Sequence, residues 1–244
     1  MDYPKFSIIV PVLHEAEMIN DLISHLRRLD PEKSSEIIVV DGALEKDTLQ
    51  AIHHDRILKI PSDKGRAKQM NAGASAAKGD VLIFLHADTE LPRSALKRMN
   101  EFISRSQYVG GAFDLGIKSD KVVFKVIAFL GSLRSRITRI PYGDQAIFIR
   151  SDFFKEIGGY KDIPLMEDAE LMRRVKRSAK KIFIFRDRVE TSPRRWAEDG
   201  LAYCILRNWA LQILYFLGVS PYKLVKFYKN NEIVKSGGPE KKSC

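Results

Sequence analysis

Short apolar runs alternate with helical patterns along the first hundred residues of the chain. Short runs rich in apolar and β-branched residues predict strands at 6–12, 36–40, 56–60 and 81–85. Apolar or small residues that recur at helical spacing predict helices at 19–29, 47–54, 65–78 and 93–104. Regular alternation of this kind predicts an α/β fold, in which a mostly parallel central sheet is flanked by helices on both faces.

The alternation becomes irregular after residue 107. The same patterns predict strands at 109–117, 146–150 and 181–185, and helices at 122–134, 167–178 and 198–217. No repeat or low-complexity linker separates these segments, and 244 residues are enough for one large core. The sequence therefore predicts one domain over 1–235, followed by a flexible tail at 236–244.

The chain carries 41 Lys and Arg against 31 Asp and Glu, a net charge of +10. Such an excess suits phosphate-bearing substrates or an anionic membrane surface, although a solvated basic surface is an alternative. The basic residues are scattered, without an aromatic-interleaved patch or zinc-ligand spacing, so a nucleic acid partner is not expected. Two cysteines and a first apolar run that is soon interrupted favour a cytoplasmic protein with neither a disulfide nor a signal peptide.

Two polar residues follow the most apolar of the predicted strands, at 81–85. His86 and Asp88 stand at i and i+2, so both side chains can project from the same side of an extended segment. Ligands bind α/β sheets at the carboxyl ends of the strands. Thr89 and Pro92 are expected to end the strand and open the next helix. The segment therefore indicates a metal- or phosphate-binding strand end, unless Asp88 only caps that helix.

Two further segments have side chains suited to a ligand that carries phosphate. Asp41 ends the second strand, where its carboxylate can either bind a ribose or base edge or cap the next helix. Gly65 and Arg66 begin a predicted helix, whose N-terminus favours anions, and Asn71 follows on that helix. Neither a Walker loop nor the dinucleotide fingerprint is present, so nicotinamide or flavin binding is not expected.

A carboxylate pair and a basic cluster complete the candidates. Glu167 and Asp168 begin a predicted helix, whose N-terminus favours ionised carboxylates. Asp168 can then act as a general base, or the pair can serve only the helix. Arg195 and Trp196 lie in a basic stretch where guanidinium groups can neutralise a leaving diphosphate and an indole can stack on a sugar. An exposed basic turn is the alternative for that stretch.

Taken in order, these segments resemble family 2 glycosyltransferases, which have the GT-A fold, and the likeness extends over residues 5–200. The segment 7–15, with Pro11, looks like the family's opening strand, although His14 replaces the usual Asn. His86-Ala87-Asp88, within Leu-His-Ala-Asp-Thr, occupies the place of the Asp-x-Asp metal motif, from which His86 is a departure. The likeness also includes Asp41-Gly42, Gly65-Arg66, Asn71-Ala72-Gly73, Gly143-Asp144-Gln145, Glu167-Asp168 and Arg194-Arg195-Trp196.

The resemblance implies a Rossmann-like GT-A domain that transfers a sugar, with inversion, from a UDP- or GDP-linked donor to an acceptor hydroxyl. Asp168 would be the general base, and Asp88 would hold Mn²⁺ or Mg²⁺. The catalytic group would also include Glu167, Arg195 and Trp196. The donor would be bound within 1–107 by Pro11, Glu15, Asp41, Gly65, Arg66, Asn71, His86, Ala87 and Asp88. The acceptor half, 108–200, would contribute Gly143, Asp144 and Gln145, and 201–235 would form a helical segment on the acceptor side.

Two other classes of protein stay open. A sugar nucleotidyltransferase usually has a glycine-rich signature after the first strand, which Val12-Leu13-His14-Glu15 lacks. A non-catalytic protein that binds a nucleotide or a sugar would tolerate the change at His86.

The final apolar stretch, 201–219, raises the question of a membrane. It includes Arg207, Asn208 and Gln212, so a membrane span is not expected. Six lysines and two glutamates over 221–244 give that segment a net charge of +4. The C-terminal region therefore predicts either a peripheral contact with the inner face of the membrane or a helix packed in the core.

Overall fold

A computed structural model describes residues 5–30, 34–103, 107–194, 196 and 200–227. The chain divides into two compact units. The first unit consists of Met1–Asp162 and Glu167–Pro193, and the second of Ile163–Met166 and Arg194–Cys244. The domain limits at 1–235, and the halves within them, stay predictions, and the tail at 236–244 lies outside the described residues.

The described residues of the first unit form an eight-stranded sheet. Its strands in chain order are β1 (Phe6–Val12), β2 (Ser35–Asp41), β3 (Ile57–Pro61), β4 (Val81–Phe84), β5 (Thr89–Glu90), β6 (Tyr108–Ile117), β7 (Phe148–Arg150) and β8 (Lys181–Thr191). Their order across the sheet is β3-β2-β1-β4-β7-β6-β8-β5. β7 is antiparallel to both of its neighbours and β5 is antiparallel to β8, whereas all other neighbouring strands are parallel.

Helices connect these strands. In the first unit they are α1 (Ile19–Leu29), α2 (Asp47–Ala51), α3 (Arg66–Ala76), α4 (Ala95–Ile103), α5 (Val122–Thr138), α6 (Ser151–Glu156) and α7 (Glu167–Arg177), with a 3-10 turn at Gly143–Gln145. In the second unit, α8 covers Leu201–Phe216. None of the described helices is long and apolar enough to cross a membrane.

The core lies around the two central parallel strands. Every residue of β4 is buried, and so is every residue of β1 except Pro11. A strand whose residues are all buried reads as a continuous apolar run, because both of its faces are covered. Since β1, β2 and β4 run in the same direction, their carboxyl ends meet at one edge of the sheet, and the candidate residues that follow these strands are brought together there.

The predicted fold class is confirmed, and the differences from prediction lie in strand segments that depend on distant partners and in one short helix. β8 was predicted to end at residue 185 but continues to Thr191, because β6 pairs with it as far as Ile117. Thr89 was expected to end the extended segment; instead it pairs with Thr191 in the short strand β5. The six-residue helix α6 was missed, because a helix this short leaves little periodicity in the sequence.

Candidate active site

The carboxyl ends of β1 and β2 are tied together by the buried side chain of Gln69. Its amide nitrogen donates to the carbonyl oxygens of Val12, at 2.7 Å, and Val40, at 2.9 Å. A Cβ at Gly42 would lie 2.9 Å from the Gln69 amide carbon, so the turn after β2 needs a residue without a side chain. Sequence reasoning missed Gln69, whose signal is an amide among the small and apolar residues on the inner face of α3.

Asp41 is fully buried at the end of β2. Its Oδ1 accepts a hydrogen bond from the backbone N–H of Ala43 at 2.8 Å, and its Oδ2 accepts one from Leu49 at 3.4 Å. Both carboxylate oxygens thus stabilise the loop and the first turn of α2, as the capping alternative expected. Contact between Asp41 and a nucleobase stays a prediction.

The loop after β1 lies against the start of α2. Pro11 is in register with Val40 of β2, and the backbone N–H of Glu15 donates to Oγ1 of Thr48 at 3.0 Å. His14, in a left-handed conformation at φ +58°, has its Nδ1 3.1 Å from Oδ2 of Asp47. The predicted donor residues Pro11 and Glu15 are therefore brought close to the end of β2. Their contact with a donor stays a prediction.

Arg66, at the start of α3, forms an ion pair with Glu167 at the start of α7. Its Nη1 lies 3.2 Å from Oε1 of Glu167, whose side chain is only 5% exposed, against 39% for Arg66. Gly65 directly precedes Arg66 and has a φ of +146°, a backbone conformation that favours glycine. The ion pair links two predicted site segments that are 101 residues apart in the chain.

The amide of Asn71 holds the backbone of Tyr160. Its Nδ2 donates to the carbonyl oxygen of Tyr160 at 2.7 Å, and its Oδ1 accepts from the Tyr160 N–H at 2.9 Å. The Tyr160 ring packs edge-on against Phe84, with the centroids 4.9 Å apart. Asn71 therefore positions the segment that follows α6. A direct contact of Asn71 with the nucleotide stays a prediction.

His86, Ala87 and Asp88 follow β4, as predicted. Ala87 is buried, whereas His86 and Asp88 are half-buried at the carboxyl edge. The carbonyl oxygen of Asp88 accepts a hydrogen bond from Ser192 N at 3.0 Å, and its Oδ1 accepts one from Thr89 Oγ1 at 3.2 Å. These bonds fix the Asp88 backbone beside the end of β8.

His86 and Asp168 converge on Gly143. The backbone N–H of Gly143 donates to Oδ2 of Asp168 at 2.9 Å. A Cβ at this position would lie 2.5 Å from Nε2 of His86 and 2.7 Å from Oδ2 of Asp168. Three predicted site segments, from β4, the 3-10 turn and α7, thus meet around a residue that leaves room for both side chains.

The environment of Asp168 is unusual for a carboxyl group. Burial, followed by the nearby charge of Glu167, raises its pKa to about 7, while Arg66 and the Gly143 N–H act in the opposite direction. Oδ1 of Asp168 is buried and makes no hydrogen bond of ordinary geometry with a described residue. The hydroxyl of Tyr160 nevertheless interacts with this carboxyl group, because burial and then the charge of Asp168 raise the pKa of Tyr160 well above its ordinary value. The site therefore holds a carboxyl group that changes charge near neutral pH and has one oxygen available for a further partner.

Two predicted acceptor-side residues follow Gly143. Gln145 is 1% exposed; its Nε2 donates to the carbonyl oxygen of Phe113 at 2.9 Å, and its Oε1 accepts a hydrogen bond from Oγ of Ser135. The amide of Gln145 thus holds the 3-10 turn against β6 and α5. The negative charge of Asp144 also raises the pKa of Asp168, behind burial and Glu167. Contact of either residue with an acceptor stays a prediction.

Trp196, another predicted catalytic residue, belongs to the second unit and is half-buried. Arg195 lies outside the described residues. Their proposed parts in catalysis stay predictions.

The donor set at Asp88 suits a divalent cation that is completed by substrate. Within the described ranges, no group of three His, Cys, Asp or Glu side chains could hold a metal by itself. Mg²⁺ in phosphate-handling sites is usually held by one or two carboxylates together with substrate phosphates, and carboxylates also suit Mn²⁺. Asp88 leaves Oδ2 without a hydrogen bond to a described residue and so fits this arrangement. His86 would add a nitrogen ligand that Mn²⁺ accepts better than Mg²⁺ does.

Fold and site together define a GT-A glycosyltransferase architecture, and solved structures share this fold. The mannosyltransferase PcManGT from Pyrobaculum calidifontis, in complex with GDP-Man and Mn²⁺, superposes with a TM-score of 0.63 at 19% identity, over 78% of this chain and 57% of that one. Staphylococcus aureus TarS 1-349 in complex with UDP-GlcNAc gives 0.60 at 18% identity, over 77% and 58%.

The chain belongs to glycosyl transferase family 2, whose model matches residues 7–158. Poly(ribitol-phosphate) beta-N-acetylglucosaminyltransferase TarS of Staphylococcus aureus (strain Mu50) is 30% identical over 107 residues, which are 41% of this chain and 19% of TarS. The probable glycosyltransferase YdaM of Bacillus subtilis is 26% identical over 199 residues, which are 71% of this chain and 47% of YdaM. The chain thus matches about a fifth of TarS and about half of YdaM.

Proposed function

We propose that this chain transfers a sugar from a UDP- or GDP-linked donor to an acceptor hydroxyl, with inversion at the anomeric carbon and with Asp168 as the general base. One observation supports the proposal most strongly. The carboxyl group of Asp168 is buried, has a pKa of about 7 and lies beside Gly143, next to which Nε2 of His86 also lies. A general base works best when its pKa is near the operating pH. Complexes of UDP-GlcNAc with TarS and of GDP-Man with PcManGT support the two donor nucleotides.

The hydrogen bonds of Asp168 suit the task of a base. Gly143 N–H holds Oδ2, and Oδ1 is left to accept the proton of the acceptor hydroxyl. As that proton moves to Oδ1, the acceptor oxygen bonds to the anomeric carbon on the face opposite the leaving group. The bond from that carbon to the diphosphate breaks with its electron pair on the diphosphate. The ion pair between Arg66 and Glu167 limits the negative charge around the ionised base.

The donor diphosphate is expected at Asp88. Asp88 would hold Mn²⁺ or Mg²⁺, and the bound ion supplies positive charge against the departing nucleoside diphosphate. The hydrogen bond from Ser192 N to the Asp88 carbonyl holds the backbone at the edge of the sheet, and the bond from Thr89 Oγ1 to Oδ1 orients the carboxylate. Fixed charged groups stabilise a developing charge without reorganisation during the reaction.

Turnover of donor sugars tests the proposal without knowledge of the acceptor, because glycosyltransferases also transfer slowly to water. UDP- and GDP-linked hexoses are incubated with the protein and Mn²⁺, and the released nucleotide and the anomer first formed are followed by NMR. We expect release with an inverted anomer, lost in Asp168→Asn and kept in Asp152→Asn, which alters an exposed carboxylate. Retention of configuration, or equal turnover by Asp168→Asn, would contradict the mechanism. Binding without any turnover would favour the non-catalytic alternative.

A further inference from the structure

Helix α5 exposes most of its large apolar side chains, whereas its buried face consists of Phe124, Ala128, Ser132 and Ser135. An apolar stripe recurs at helical spacing on the outer face, with exposures of 73% for Val122, 49% for Val126, 59% for Phe129, 40% for Leu133 and 72% for Ile137. The inner face includes Ser132, whose Oγ accepts a hydrogen bond from Leu115 N of β6, and Ser135. A surface helix of a globular protein usually has the opposite arrangement, and large exposed apolar patches mark interaction sites.

The sequence around this stripe is basic. Between residues 121 and 143 there are five Lys and Arg and neither Asp nor Glu: Lys121, Lys125, Arg134, Arg136 and Arg139. Lys118 precedes the helix and pairs with Glu90. An apolar helix face with Lys and Arg along its borders has the composition of helices that lie in a membrane interface.

A groove of about 660 Å³ begins where α5 ends. Four arginines line it, namely Arg98, Arg136, Arg139 and Arg186. Arg98 pairs with Asp187 and Arg136 with Asp114, whereas Arg139 and Arg186 make no ion pair with a described residue.

The position of Arg186 in β8 explains why its side chain is available. Arg186 and Asp187 form a bulge in β8, because Phe113 is in register with Phe185 and the next residue, Asp114, with Arg188. The two residues are thus outside the regular ladder to β6. The bulge adds a cation to a groove that already contains the C-terminal end of α5.

We propose that α5 lies in the interface of an anionic lipid bilayer, with its outer stripe among the acyl chains and with Arg139 and Arg186 on headgroup phosphates. Charge decides between the two occupants that an apolar stripe could have. A second copy would bring another basic border and another net charge of +10 to the same surface, whereas anionic headgroups complement it. This inference is independent of the proposed function, and it concerns a different unit from the C-terminal region 201–235.

Vesicle co-sedimentation of the full chain tests the apolar part of this proposal. We expect the natural chain to bind vesicles of phosphatidylcholine mixed with phosphatidylglycerol. Phe129→Ser/Leu133→Ser should bind them at least about tenfold more weakly, because two exposed apolar side chains that would insert among the acyl chains are removed. Leu58→Ser on β3 is the matched control for Leu133→Ser, since the two side chains are exposed by 41% and 40%, and it should bind like the natural chain.

The charged part has its own comparison. Arg139→Gln/Arg186→Gln should weaken binding to the mixed vesicles by several-fold and reduce its salt dependence, whereas Arg28→Gln on α1 should change little. Leu206→Ser/Trp209→Ser on α8 measures the contribution of the C-terminal region in parallel.

Three results would overturn the proposal. The first is equal binding to phosphatidylcholine alone and to the mixture. The second is unchanged binding by the α5 double variant, whatever the α8 variant does. The third is a dimer, measured by light scattering at several concentrations, that Phe129→Ser/Leu133→Ser abolishes, because the stripe would then be covered by a second copy.

Discussion

The backbone N–H of Gly143 donates a 2.9 Å hydrogen bond to Oδ2 of Asp168, across 25 residues of the chain. This bond fixes one carboxylate oxygen and leaves Oδ1 without a hydrogen bond to a described residue. The same glycine leaves space for Nε2 of His86. The 3-10 turn therefore orients the candidate base and brings it beside His86, which follows β4.

A methyl group at Gly143 should damage the site without unfolding the protein. In Gly143→Ala the new Cβ would need space now held by His86 and Asp168, at 2.5 and 2.7 Å, so both side chains must shift. Because a displacement of about 1 Å can lower a catalytic rate roughly 100-fold, we expect a loss of that order in kcat. Gly131→Ala in α5 is the control, since its Cβ meets only Leu115, at 3.2 Å. Equal losses of kcat in the two variants would contradict the role assigned to Gly143.

The activity should depend on the ionisation of Asp168. Burial and the charge of Glu167 raise its pKa to about 7, and a base must be ionised to accept a proton. We therefore expect kcat/KM to fall as the pH drops below about 7, by roughly tenfold for each pH unit. A profile of kcat/KM that is flat from about pH 5 to about pH 8 would contradict this assignment.

Arg66 gives this pH profile a directional test. Its positive charge lowers the pKa of Asp168, and removing it also leaves the charge of Glu167 without its partner. In Arg66→Gln the acidic limb of kcat/KM should therefore move to higher pH. Lys68→Gln, on the same helix, removes an exposed cation that pairs with Asp63 and should leave the limb in place. A limb that stays put in Arg66→Gln, or that moves to lower pH, would contradict the electrostatic account.

Asp168 should also lower the stability of the folded protein. Its folded pKa of about 7 is above the ordinary value of 3.8, so folding disfavours its ionised form. The resulting loss of stability is absent below about pH 4, grows as the pH rises and is complete above about pH 7. Asp168→Asn should therefore be more stable than the natural chain at alkaline pH, by on the order of 4 kcal/mol, and similar to it at about pH 4.

Urea denaturation at several pH values measures this difference. Asp152 provides a control of opposite sign, because its hydrogen bond with Arg150 lowers the pKa of its exposed carboxylate. Asp152→Asn should bring no gain in stability at alkaline pH. A similar gain in both variants would indicate a general effect of lost negative charge in place of the buried site.

Gln69 should matter for stability. Gln69→Met removes the two hydrogen bonds that hold the ends of β1 and β2 while keeping the length of the side chain. We expect the free energy of unfolding to fall by about 1–3 kcal/mol, because buried carbonyl groups lose a donor. Gln50→Met, which removes one exposed bond to Glu45 O, should cost less than about 1 kcal/mol by the same urea measurement. Equal effects would mean that the link between the strand ends contributes little.

The elements whose evidence is local could be predicted from the sequence. β1, β2 and β4 are short strands whose residues are mostly apolar, and they place Asp41, His86 and Asp88 at one edge of the sheet. A periodicity in the sequence records which face is buried, so it locates such strands and the helices between them.

Contacts between distant segments could not be predicted in this way. The ion pair of Arg66 with Glu167 and the amide contacts of Asn71 with Tyr160 join residues 101 and 89 positions apart. The contact of Arg66 and Asn71 with the donor stays a prediction, and the structure adds that Arg66 pairs with the start of α7 and that Asn71 holds the segment after α6. The short strand β5 is likewise defined by its partner β8.

Calorimetric titration with UDP and GDP tests the central claim most directly, because it needs neither the donor sugar nor the acceptor. The natural chain and Asp88→Asn are titrated with each nucleotide in Mn²⁺ and in EDTA, with Asp63→Asn as the control for an exposed carboxylate. We predict that one nucleotide binds in Mn²⁺, and that EDTA or Asp88→Asn weakens this binding at least about tenfold while Asp63→Asn leaves it unchanged. Two results would contradict a nucleotide-sugar site at the end of β4. One is the absence of binding to both nucleotides, and the other is equal binding by the natural chain and Asp88→Asn in both Mn²⁺ and EDTA.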